Sequence, residues 1–435
     1  MIQEMDNSFL DLLVKTTENK ETLLTFEREG YYLVDPFNLY FYNRPFNLNK
    51  QLVHLKPKIV TVLLGVKCNL HCSYCIQTDI RSKVNLDFSP KEINNFIEKF
   101  KKLDLSEIQR ITFWGGEPLV YWKTLQLLLP KLRELCPNLV DFYLSTNGTL
   151  LTKDKLDFLL TNNVSIQLSD DIVNTDRNVD LTQARELFNW AKQKYPKAKL
   201  SIHVCFSKEN CDALKLLEEA EKIYKGDFII RACPVSPPLE QGSFDISPIL
   251  FDKNSLLLLE ESSYQAYLKD SPLRFIIFET KLNQFLRGNP GPSYACRFGS
   301  GLEICIDNKG NIFGCRGSFN YSNIIGSLDD YPLKDTFKYI SVNEREQCSK
   351  CIFKNMCKGI CSQLPNEQVQ KYCLPHYAFQ RGIFRAILKI LYNLELLSIN
   401  NTQDALFQHK LSYETLKESK VSDNKTTIYL RKSND

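Results

Sequence analysis

The sequence predicts an α/β fold, a partial (β/α)6 barrel followed by a cysteine-rich region. Between residues 58 and 240, six short runs rich in β-branched and aromatic residues alternate with segments of helical periodicity. The chain has 435 residues, 43% hydrophobic and 24% charged, which is ordinary for a globular protein of several domains. Most of its 15 cysteines fall into two clusters, one near the start of the predicted barrel and one beyond residue 294.

The six strand-like runs set the order of the barrel. They are 60–66, 110–114, 140–145, 164–168, 200–206 and 228–235. The first helix begins at Ser89-Pro90-Lys91-Glu92, where an N-cap serine, an early proline and a capping-box glutamate are combined. The other helical segments between the strands are 123–135, 153–160, 182–195 and 212–224. Right-handed crossovers between parallel strands explain this alternation, and six repeats are too few to close an eight-stranded barrel.

The whole chain divides into five parts. They are 1–57, a small α+β N-terminal extension; 58–240, the barrel; 241–293, a mostly helical connector; 294–375, the cysteine-rich domain; and 376–435, a C-terminal helix with a mobile tail. In the connector, 255–269 and 273–286 have helical periodicity, and 378–397 is the predicted C-terminal helix.

Charge and hydropathy exclude several function classes. The chain has 55 basic and 51 acidic residues, a net charge of +4 that is too balanced for an electrostatic nucleic-acid binder. The N-terminus has acidic residues where a secretory signal has basic ones, and the longest aliphatic runs are strand-sized rather than membrane-spanning. We therefore expect a cytoplasmic protein without a nucleic-acid or membrane partner. In that reducing compartment, clustered cysteines are more often metal ligands or catalytic groups than disulfides.

The first cysteine cluster follows the first predicted strand. Cys68, Cys72 and Cys75 lie just beyond its C-terminal end, where a barrel of this kind carries its chemistry. A four-iron cluster normally takes four thiolates, so three local cysteines leave one iron open to a non-protein ligand. An open metal position is typical of a catalytic site. The alternative is a zinc site made from these cysteines with His71 or a distant residue.

The spacing Cys-x3-Cys-x2-Cys, with Tyr74 directly before the last cysteine, resembles the signature of radical S-adenosylmethionine (SAM) enzymes. The resemblance implies that the three cysteines bind a [4Fe–4S] cluster and that its open iron chelates the methionine amine and carboxylate of SAM. It also implies that Tyr74 lies against the adenine, and that the reduced cluster cleaves SAM to a 5′-deoxyadenosyl radical that abstracts hydrogen from a substrate.

Two further turns match this family. Gly115-Gly116-Glu117 ends the second strand and corresponds to the motif that binds the SAM amine, since glycines permit close backbone approach and a carboxylate suits a cation. Ser145 and Asn147 end the third strand and are candidate contacts to the ribose or carboxylate of SAM. Taken alone, each motif is equally a tight turn.

The fourth strand departs from the family pattern. Many relatives carry Ser-x-Asp-Gly there, whereas this chain has Ser169, Asp170 and Asp171 without the glycine. Ser169 and Asp170 are therefore weaker candidates for SAM contacts. Arg231, in the sixth strand, is either a partner of the SAM carboxylate or a structural arginine.

The second cysteine cluster has eight members. They are Cys296, Cys305, Cys315, Cys348, Cys351, Cys357, Cys361 and Cys373. Eight thiols suit two four-iron clusters, and metal binding supplies folding free energy to a region short of long helices. The alternative is a pair of zinc ribbons. The remaining cysteines, Cys136, Cys205, Cys211 and Cys233, match no ligand spacing, although Cys233 follows a strand and is a candidate to face the cavity.

The pattern resembles the SPASM domain, a C-terminal extension of radical SAM enzymes with two auxiliary clusters. The resemblance implies that Cys296, Cys315 and Cys361 bind the first auxiliary cluster, with Cys305 either its fourth ligand or a buried thiol. It implies that the second is bound by Cys348, Cys351, Cys357 and Cys373. The chain would then hold three [4Fe–4S] clusters together with SAM.

The resemblance also implies a function, because most SPASM-bearing relatives are maturases of peptides or proteins. The leading hypothesis is a thioether or carbon–carbon crosslink in a ribosomally made peptide, with flavodoxin or ferredoxin as electron donor. One alternative is a sulfatase-type maturase that forms formylglycine, with Asp170 or Asp171 as base. An alternative of another class is a zinc-binding interaction protein. Residues 1–57 are either a contact for a leader peptide or a packing extension.

Overall fold

The structure is a computed structural model. It describes residues 24–28, 31–34, 57–77, 86–173, 177, 179–236, 249–286, 297–298, 301–317, 324–333, 340–349, 351–399 and 428–432.

Strands and helices alternate along most of the described chain. The strands are β1 (Leu24–Arg28), β2 (Tyr31–Val34), β3 (Ile59–Gly65), β4 (Arg110–Gly115), β5 (Asp141–Thr146), β6 (Val164–Ser169), β7 (Leu200–Phe206), β8 (Ile229–Pro234), β9 (Arg274–Phe275), β10 (Glu303–Ile306), β11 (Asn311–Phe313), β12 (Ile324–Ser327), β13 (Leu394–Ile399) and β14 (Ile428–Lys432). The α-helices are α1 (Ile93–Phe100), α2 (Trp122–Leu135), α3 (Lys153–Thr161), α4 (Thr182–Lys194), α5 (Ala213–Ile223), α6 (Lys253–Leu268), α7 (Ile276–Leu286), α8 (Glu346–Ser349), α9 (Lys354–Cys357) and α10 (Asn366–Tyr392).

The larger sheet confirms the predicted α/β class. Its order is β12-β11-β10-β3-β4-β5-β6-β7-β8-β9, and β3 to β9 are parallel neighbours in chain order. The six predicted strands correspond to β3 through β8. The sheet extends beyond these six strands. It includes β9, from the predicted connector, and β10, from the cysteine-rich region. β10 pairs parallel with β3 and starts the antiparallel run β10-β11-β12.

The first barrel helix illustrates how local sequence forms these elements. The backbone N–H of Ser89 donates to Glu92 Oε2 at 2.8 Å, which is the predicted capping box. A short 3-10 turn, Pro90–Glu92, leads into α1. Phe96 and Phe100 are fully buried on one face of α1, so burial of this face holds the helix against the sheet.

The two faces of the larger sheet differ in chemistry. Residues such as Ile111, Phe142 and Val204 are completely buried in the core between strands and helices. The alternate positions on the same strands are polar or aromatic. They are Thr61, Thr112, Trp114, Tyr143, Ser145, Gln167, Ser169, His203, Arg231 and Glu303. A parallel sheet covered on both faces is normally apolar on both, so the polar inner face indicates a site rather than a packed core.

The connector is joined to α10 by a buried ion-pair network. The Glu260 carboxylate of α6 lies 2.5 Å from Arg381 and 2.6 Å from Arg385, and Glu260 and Arg381 are almost fully buried. Gly382 allows this contact, because a Cβ there would lie 2.6 Å from the Glu260 carbonyl oxygen. The network fixes α10 and, with it, Cys373 against the barrel.

The C-terminal prediction needs two corrections. The helix extends over Asn366–Tyr392 rather than 378–397, so the predicted boundary at 375 falls inside α10. The end of the predicted helix and the predicted mobile tail contain β13 and β14, which pair with each other and, through β14, with β2 in a sheet of order β1-β2-β14-β13. Leu394, Leu396 and Ile399 of β13 are buried, so hydrophobic burial and strand pairing order this segment. Among the described helices, none is long and apolar enough to cross a membrane.

Candidate cofactor and substrate site

The loop with the first cysteine cluster leaves β3 at Gly65. This residue has φ +147°, and a Cβ there would lie 2.1 Å from Tyr121 Oη, so only glycine fits without rearrangement. The Tyr121 hydroxyl accepts a hydrogen bond from Lys67 N at 3.0 Å and donates to Asp87 Oδ1 at 2.7 Å. The start of the loop is thus held against the 3-10 turn that follows β4.

The three cysteines of this loop are half-buried and lie close together. Burial raises the pKa of the Cys72 thiol to about 11, Arg177 opposes this effect, and the neighbouring thiols of Cys75 and Cys68 add to it. The backbone N–H of Leu70 points to Cys68 Sγ at 3.4 Å. Clustered thiols with N–H groups directed at sulfur fit the ligand set of an iron–sulfur cluster. Among the described residues, no three His, Cys, Asp or Glu side chains converge closely enough to hold a single metal ion.

Gly115 and Gly116, at the end of β4, are needed because the neighbouring backbone leaves no room for a Cβ. A Cβ on Gly115 would lie 2.4 Å from the carbonyl oxygen of Gly65, and one on Gly116 would lie 2.3 Å from that of Lys67. The Gly116 N–H also donates to the Gly65 carbonyl at 3.0 Å. In the structure, the two glycines allow the end of β4 to approach the end of β3 closely. This contact places the glycine turn directly beside the cysteine loop.

The Glu117 carboxylate is almost fully buried and accepts three hydrogen bonds. Its donors are Leu119 N at 3.0 Å, Thr146 Oγ1 at 2.7 Å and Asn147 N at 2.7 Å. Burial raises the pKa of Glu117, while these hydrogen bonds act in the opposite direction. The Glu117 carboxylate is thus hydrogen-bonded to the turn at Thr146 and Asn147. A contact between Glu117 and the SAM amine stays a prediction.

The turn after β5 meets the cysteine loop. Asn147 Nδ2 donates to Asn69 Oδ1 at 3.0 Å and lies 3.9 Å from Cys68 Sγ. Ser145 Oγ is 3.5 Å from Ser169 Oγ on the next strand. The structure thus brings together the cysteine loop and the candidate residues from the third and fourth barrel strands at the C-terminal edge of the sheet.

Tyr74 belongs to a group that the sequence did not reveal. Its hydroxyl donates to Asp171, which also pairs with Arg177 at 2.9 Å and accepts from Cys205 N at 3.2 Å. The Arg177 guanidinium lies 5.6 Å from the centre of the Tyr74 ring. Burial, followed by the Asp171 charge, raises the pKa of Tyr74 well above its ordinary value. Arg177 belongs to no sequence motif, so no sequence signal identified it.

Asp170 is held inside the fold by three hydrogen-bonding residues. It receives a two-point contact from Arg185 at 2.8 Å, a hydrogen bond from Tyr224 Oη at 2.6 Å and one from Ile172 N at 2.8 Å. Burial acts to raise the pKa of Asp170, but the Arg185 contacts outweigh it and hold the pKa below its ordinary value. Its acceptor positions are occupied, which argues against both predicted roles, SAM contact and catalytic base.

Residues of β7 and β8 form the middle of the inner face. His203 and Arg231 are paired in register, as are Cys205 and Cys233. Cys233 Sγ is 3.8 Å from His203 Nε2, so Cys233 faces the inner side of the sheet. Burial lowers the pKa of His203 to about 3, with Arg231 adding to the effect, so this imidazole is neutral at pH 7.

Four cysteines of the second cluster line one cavity. They are Cys348, Cys351, Cys357 and Cys373, the residues predicted to bind the second auxiliary cluster. The rest of the wall includes Phe353, Val369 and Tyr377. Cys348 comes from α8, Cys357 ends α9 and Cys373 lies in α10, so tertiary packing brings together cysteines from three helices.

The thiols of this cavity are strongly desolvated. Burial raises the pKa of Cys357 to about 12, with Cys348 adding to the effect, and it raises the pKa of Cys373 to about 11. Such thiols stay protonated at pH 7 until a metal replaces the proton. Four converging thiols in an apolar cavity fit a structural iron–sulfur site.

The structure describes some of the residues predicted to bind the first auxiliary cluster. Cys296 lies outside the described residues. Cys315 Sγ accepts from Gly317 N at 3.2 Å, and Cys361 Sγ accepts from Gln363 N at 3.5 Å. Cys305 is fully buried in an apolar cluster with Leu63, Phe298 and Phe313, which favours a buried thiol. Burial and then the neighbouring Cys315 raise the pKa of Cys305, so these two thiols lie near each other.

Comparison with known proteins agrees with this geometry. Residues 62–220 match the family model described as the Radical SAM superfamily. The chain carries a radical SAM domain. This domain makes it an enzyme, and the cofactors of the domain are a [4Fe–4S] cluster and SAM.

Similar proteins align well beyond the radical SAM domain. The radical SAM cyclopropyl synthase TigE of Paramaledivibacter caminithermalis is 22% identical over 340 residues, 70% of this chain and 67% of that protein. A cysteine-type anaerobic sulfatase-maturating enzyme of Clostridium perfringens is 22% identical over 365 residues, 75% of this chain and 96% of that protein. The solved structure of native anSMEcpe with bound AdoMet superposes with a TM-score of 0.59 at 19% identity, covering 77% of this chain and 99% of that one. This likeness shows the fold over about three quarters of the chain.

Proposed function

We propose that this protein is a radical SAM maturase that forms a thioether or carbon–carbon crosslink in a ribosomally made peptide. The observation that carries the proposal is the cavity formed by Cys348, Cys351, Cys357 and Cys373 in a chain with a radical SAM domain. A second array of converging thiols suits the auxiliary clusters of a SPASM-type domain. The maturase named among the similar proteins supports this class.

We assign the SAM-cleaving cluster to Cys68, Cys72 and Cys75. When bound, this cluster supplies the electron that cleaves SAM to methionine and a 5′-deoxyadenosyl radical, which takes a hydrogen atom from the substrate. The proposed SAM contacts are Tyr74, Gly115, Gly116, Glu117, Ser145 and Asn147. Their positions around the cysteine loop support this assignment, because the ends of β3, β4, β5 and β6 meet there.

The residues of the site have distinct tasks in this proposal. Glu117 orders the turn that presents Asn147 to the cysteine loop. The Tyr74–Asp171–Arg177 group closes one side of the site and is itself protected from water by burial. The polar inner face below it receives the part of the substrate that reacts.

In this proposal the barrel covers residues 58–240 and the connector 241–293, and the auxiliary domain begins at 294 and continues into α10. One auxiliary cluster is held by Cys348, Cys351, Cys357 and Cys373, and the other by Cys296, Cys315 and Cys361. When bound at these cysteines, such clusters would accept an electron from the substrate radical or bind the substrate. The reducing partner is a small electron carrier such as flavodoxin or ferredoxin.

The two carboxylates predicted as the base of formylglycine formation have partners within the fold. Asp170 is paired with Arg185 and Tyr224, and Asp171 with Arg177 and Tyr74. We therefore assign neither as a base, and the sulfatase-type maturase stays the alternative hypothesis, which the similar sulfatase-maturating enzyme supports.

Anaerobic reconstitution tests the proposal. We expect a brown protein with about 12 irons per chain, from three clusters of four, which makes 5′-deoxyadenosine from SAM when reduced. Mass spectrometry of a candidate peptide then separates a crosslinked product from an aldehyde, which also reacts with hydrazide reagents. A colourless protein with zinc and no 5′-deoxyadenosine would instead identify the interaction protein.

A further inference from the structure

The inner face of the larger sheet has a cationic centre. In β8, Ile230 and Ala232 are buried against the helices, so the alternate residue Arg231 points to the inner face, in register with His203 of β7. Arg231 is exposed there, although it lies in the middle of a strand inside the sheet. Mid-strand arginines on a sheet interior are uncommon unless they have a partner.

A second arginine reaches the same region from the cysteine-rich part of the chain. The Arg316 guanidinium lies 4.3 Å from the centre of the Trp114 ring and its Nη1 lies 3.9 Å from Glu303. After burial itself, the positive charges of Arg231 and Arg316 are among the effects that lower the pKa of His203, so both guanidinium groups lie near this imidazole.

Glu303 lies beside Arg316 on this face. Its carboxylate is 3.9 Å from Arg316 Nη1 and accepts from Thr61 Oγ1 at 2.6 Å. Within the described part of the chain, no carboxylate is in ion-pair contact with Arg231. The indole N–H of Trp114 on the same face is buried without an acceptor. Both cationic charge and a hydrogen-bond donor are thus available to an anion.

We propose that this inner face binds a carboxylate of the peptide substrate, with Arg231 as its direct partner and Arg316 adding positive charge on the same face. This inference rests on the proposed function and adds a substrate class to it: a peptide with an acidic side chain or a free C-terminus next to the residue that reacts. A guanidinium in a partly desolvated site forms strong two-point contacts with a carboxylate.

The position of Arg231 favours the substrate over SAM as the source of this carboxylate. The candidate SAM contacts lie at the C-terminal ends of the strands, beyond Gly115 and at Thr146 and Asn147. Arg231 is the third residue of β8, deeper in the sheet than Cys233, which follows it on the same face. A group bound at Arg231 therefore lies below the SAM-binding edge.

The test uses the reconstituted holoenzyme with SAM bound, under anaerobic conditions. Ligand-observed NMR titrations compare N-acetylglutamate N-methylamide with N-acetylglutamine N-methylamide, and N-acetylalanine with its N-methylamide. The first pair reports an acidic side chain and the second a C-terminal carboxylate. We expect the acid of at least one pair to bind about tenfold more tightly than its neutral partner.

Three variants give the controls. Arg231→Gln should abolish the preference for the acid, and Arg231→Lys should keep part of it. Arg274→Gln removes the same charge from an exposed arginine that pairs with Glu279, and it should leave the preference unchanged. Equal binding of acid and neutral probes by the wild-type enzyme overturns the inference, and this outcome is decisive even if Arg231→Gln does not fold.

Two other results are informative. A loss of SAM affinity in Arg231→Gln with an unchanged preference for the acidic probe would assign the arginine to SAM and overturn the inference. Iron content and 5′-deoxyadenosine formation, measured on the same wild-type sample, report the proposed function separately. If the enzyme prefers the acidic probe but does not cleave SAM, the proposed function is refuted and the carboxylate-binding site is supported. If it cleaves SAM but shows no preference for the acidic probe, the proposed function is supported and the carboxylate-binding site is refuted.

Discussion

The Glu117 carboxylate accepts a hydrogen bond from the backbone N–H of Asn147 at 2.7 Å, which ties the turn after β4 to the turn after β5. Both turns lie next to the cysteine loop, since Glu117 N donates to the Lys67 carbonyl at 2.9 Å and Asn147 Nδ2 donates to Asn69. One buried carboxylate thus aligns three strand ends that surround the proposed SAM site.

Glu117→Gln tests this alignment. An amide side chain has one acceptor oxygen and cannot accept from Leu119, Thr146 and Asn147 together, so one buried donor loses its partner at a cost of about 1–3 kcal/mol. We expect SAM affinity, measured by equilibrium dialysis, to fall about tenfold or more while iron content stays unchanged. Glu98→Gln, at an exposed ion pair on α1, is the matched control. Unchanged SAM affinity in Glu117→Gln would contradict the role given to this carboxylate.

Cys72→Ala tests the SAM-cleaving cluster. Loss of one thiolate leaves the cluster short of a ligand, so 5′-deoxyadenosine formation should fall to the level without enzyme. Cys136→Ala, which removes a buried thiol at the end of α2, should retain activity. Full turnover by Cys72→Ala would exclude the assignment.

Cys357→Ala tests the cavity in the auxiliary domain. The variant should lose about four irons per chain and most of its product, while SAM cleavage is partly retained because the barrel has its own cluster. Cys211→Ala, which removes another buried thiol, should keep its iron. Iron analysis with Mössbauer spectroscopy makes the measurement. An unchanged iron content in Cys357→Ala would rule out a cluster in this cavity.

Glu260→Gln tests the attachment of α10. The substitution removes a counter-charge from the fully buried Arg381, which costs about 3–5 kcal/mol in a buried pair. Glu261→Gln removes a half-exposed partner of Arg385 and should cost about 0–1 kcal/mol. Denaturant unfolding of the reconstituted protein compares the two free energies of unfolding. Equal losses would mean that the buried network does not hold the helix.

Asp170→Asn should destabilise the protein in a pH-dependent way. The folded-state pKa of Asp170 is below the ordinary carboxyl value of about 3.9, so its stabilising effect is fully present above that value and is lost as the pH falls through the lowered folded pKa. Thermal unfolding should separate the variant from wild type at pH 7, with a smaller difference as the pH falls below about 4. A difference that does not change with pH would assign the effect to packing rather than to the Arg185 ion pair.

Local patterns in the sequence predicted the barrel and the two sets of cysteines. The six strands from Ile59 to Pro234 follow the predicted runs within a few residues, because apolar periodicity and strand length are properties of neighbouring residues. The capping box at Ser89 and Glu92 formed for the same reason. The spacing of Cys68, Cys72 and Cys75 indicated the chemistry before any geometry was considered.

Tertiary structure decided what the polar residues around those cysteines do. Nothing in the sequence distinguishes Asp170 from Asp171, yet one pairs with Arg185 and the other with Tyr74 and Arg177. The pairing of β13 with β14 and the approach of Arg231 and Arg316 to His203 join residues from distant parts of the chain. The charge state and partners of a buried group depend on what the fold places around it, and short-range patterns carry no information about those neighbours.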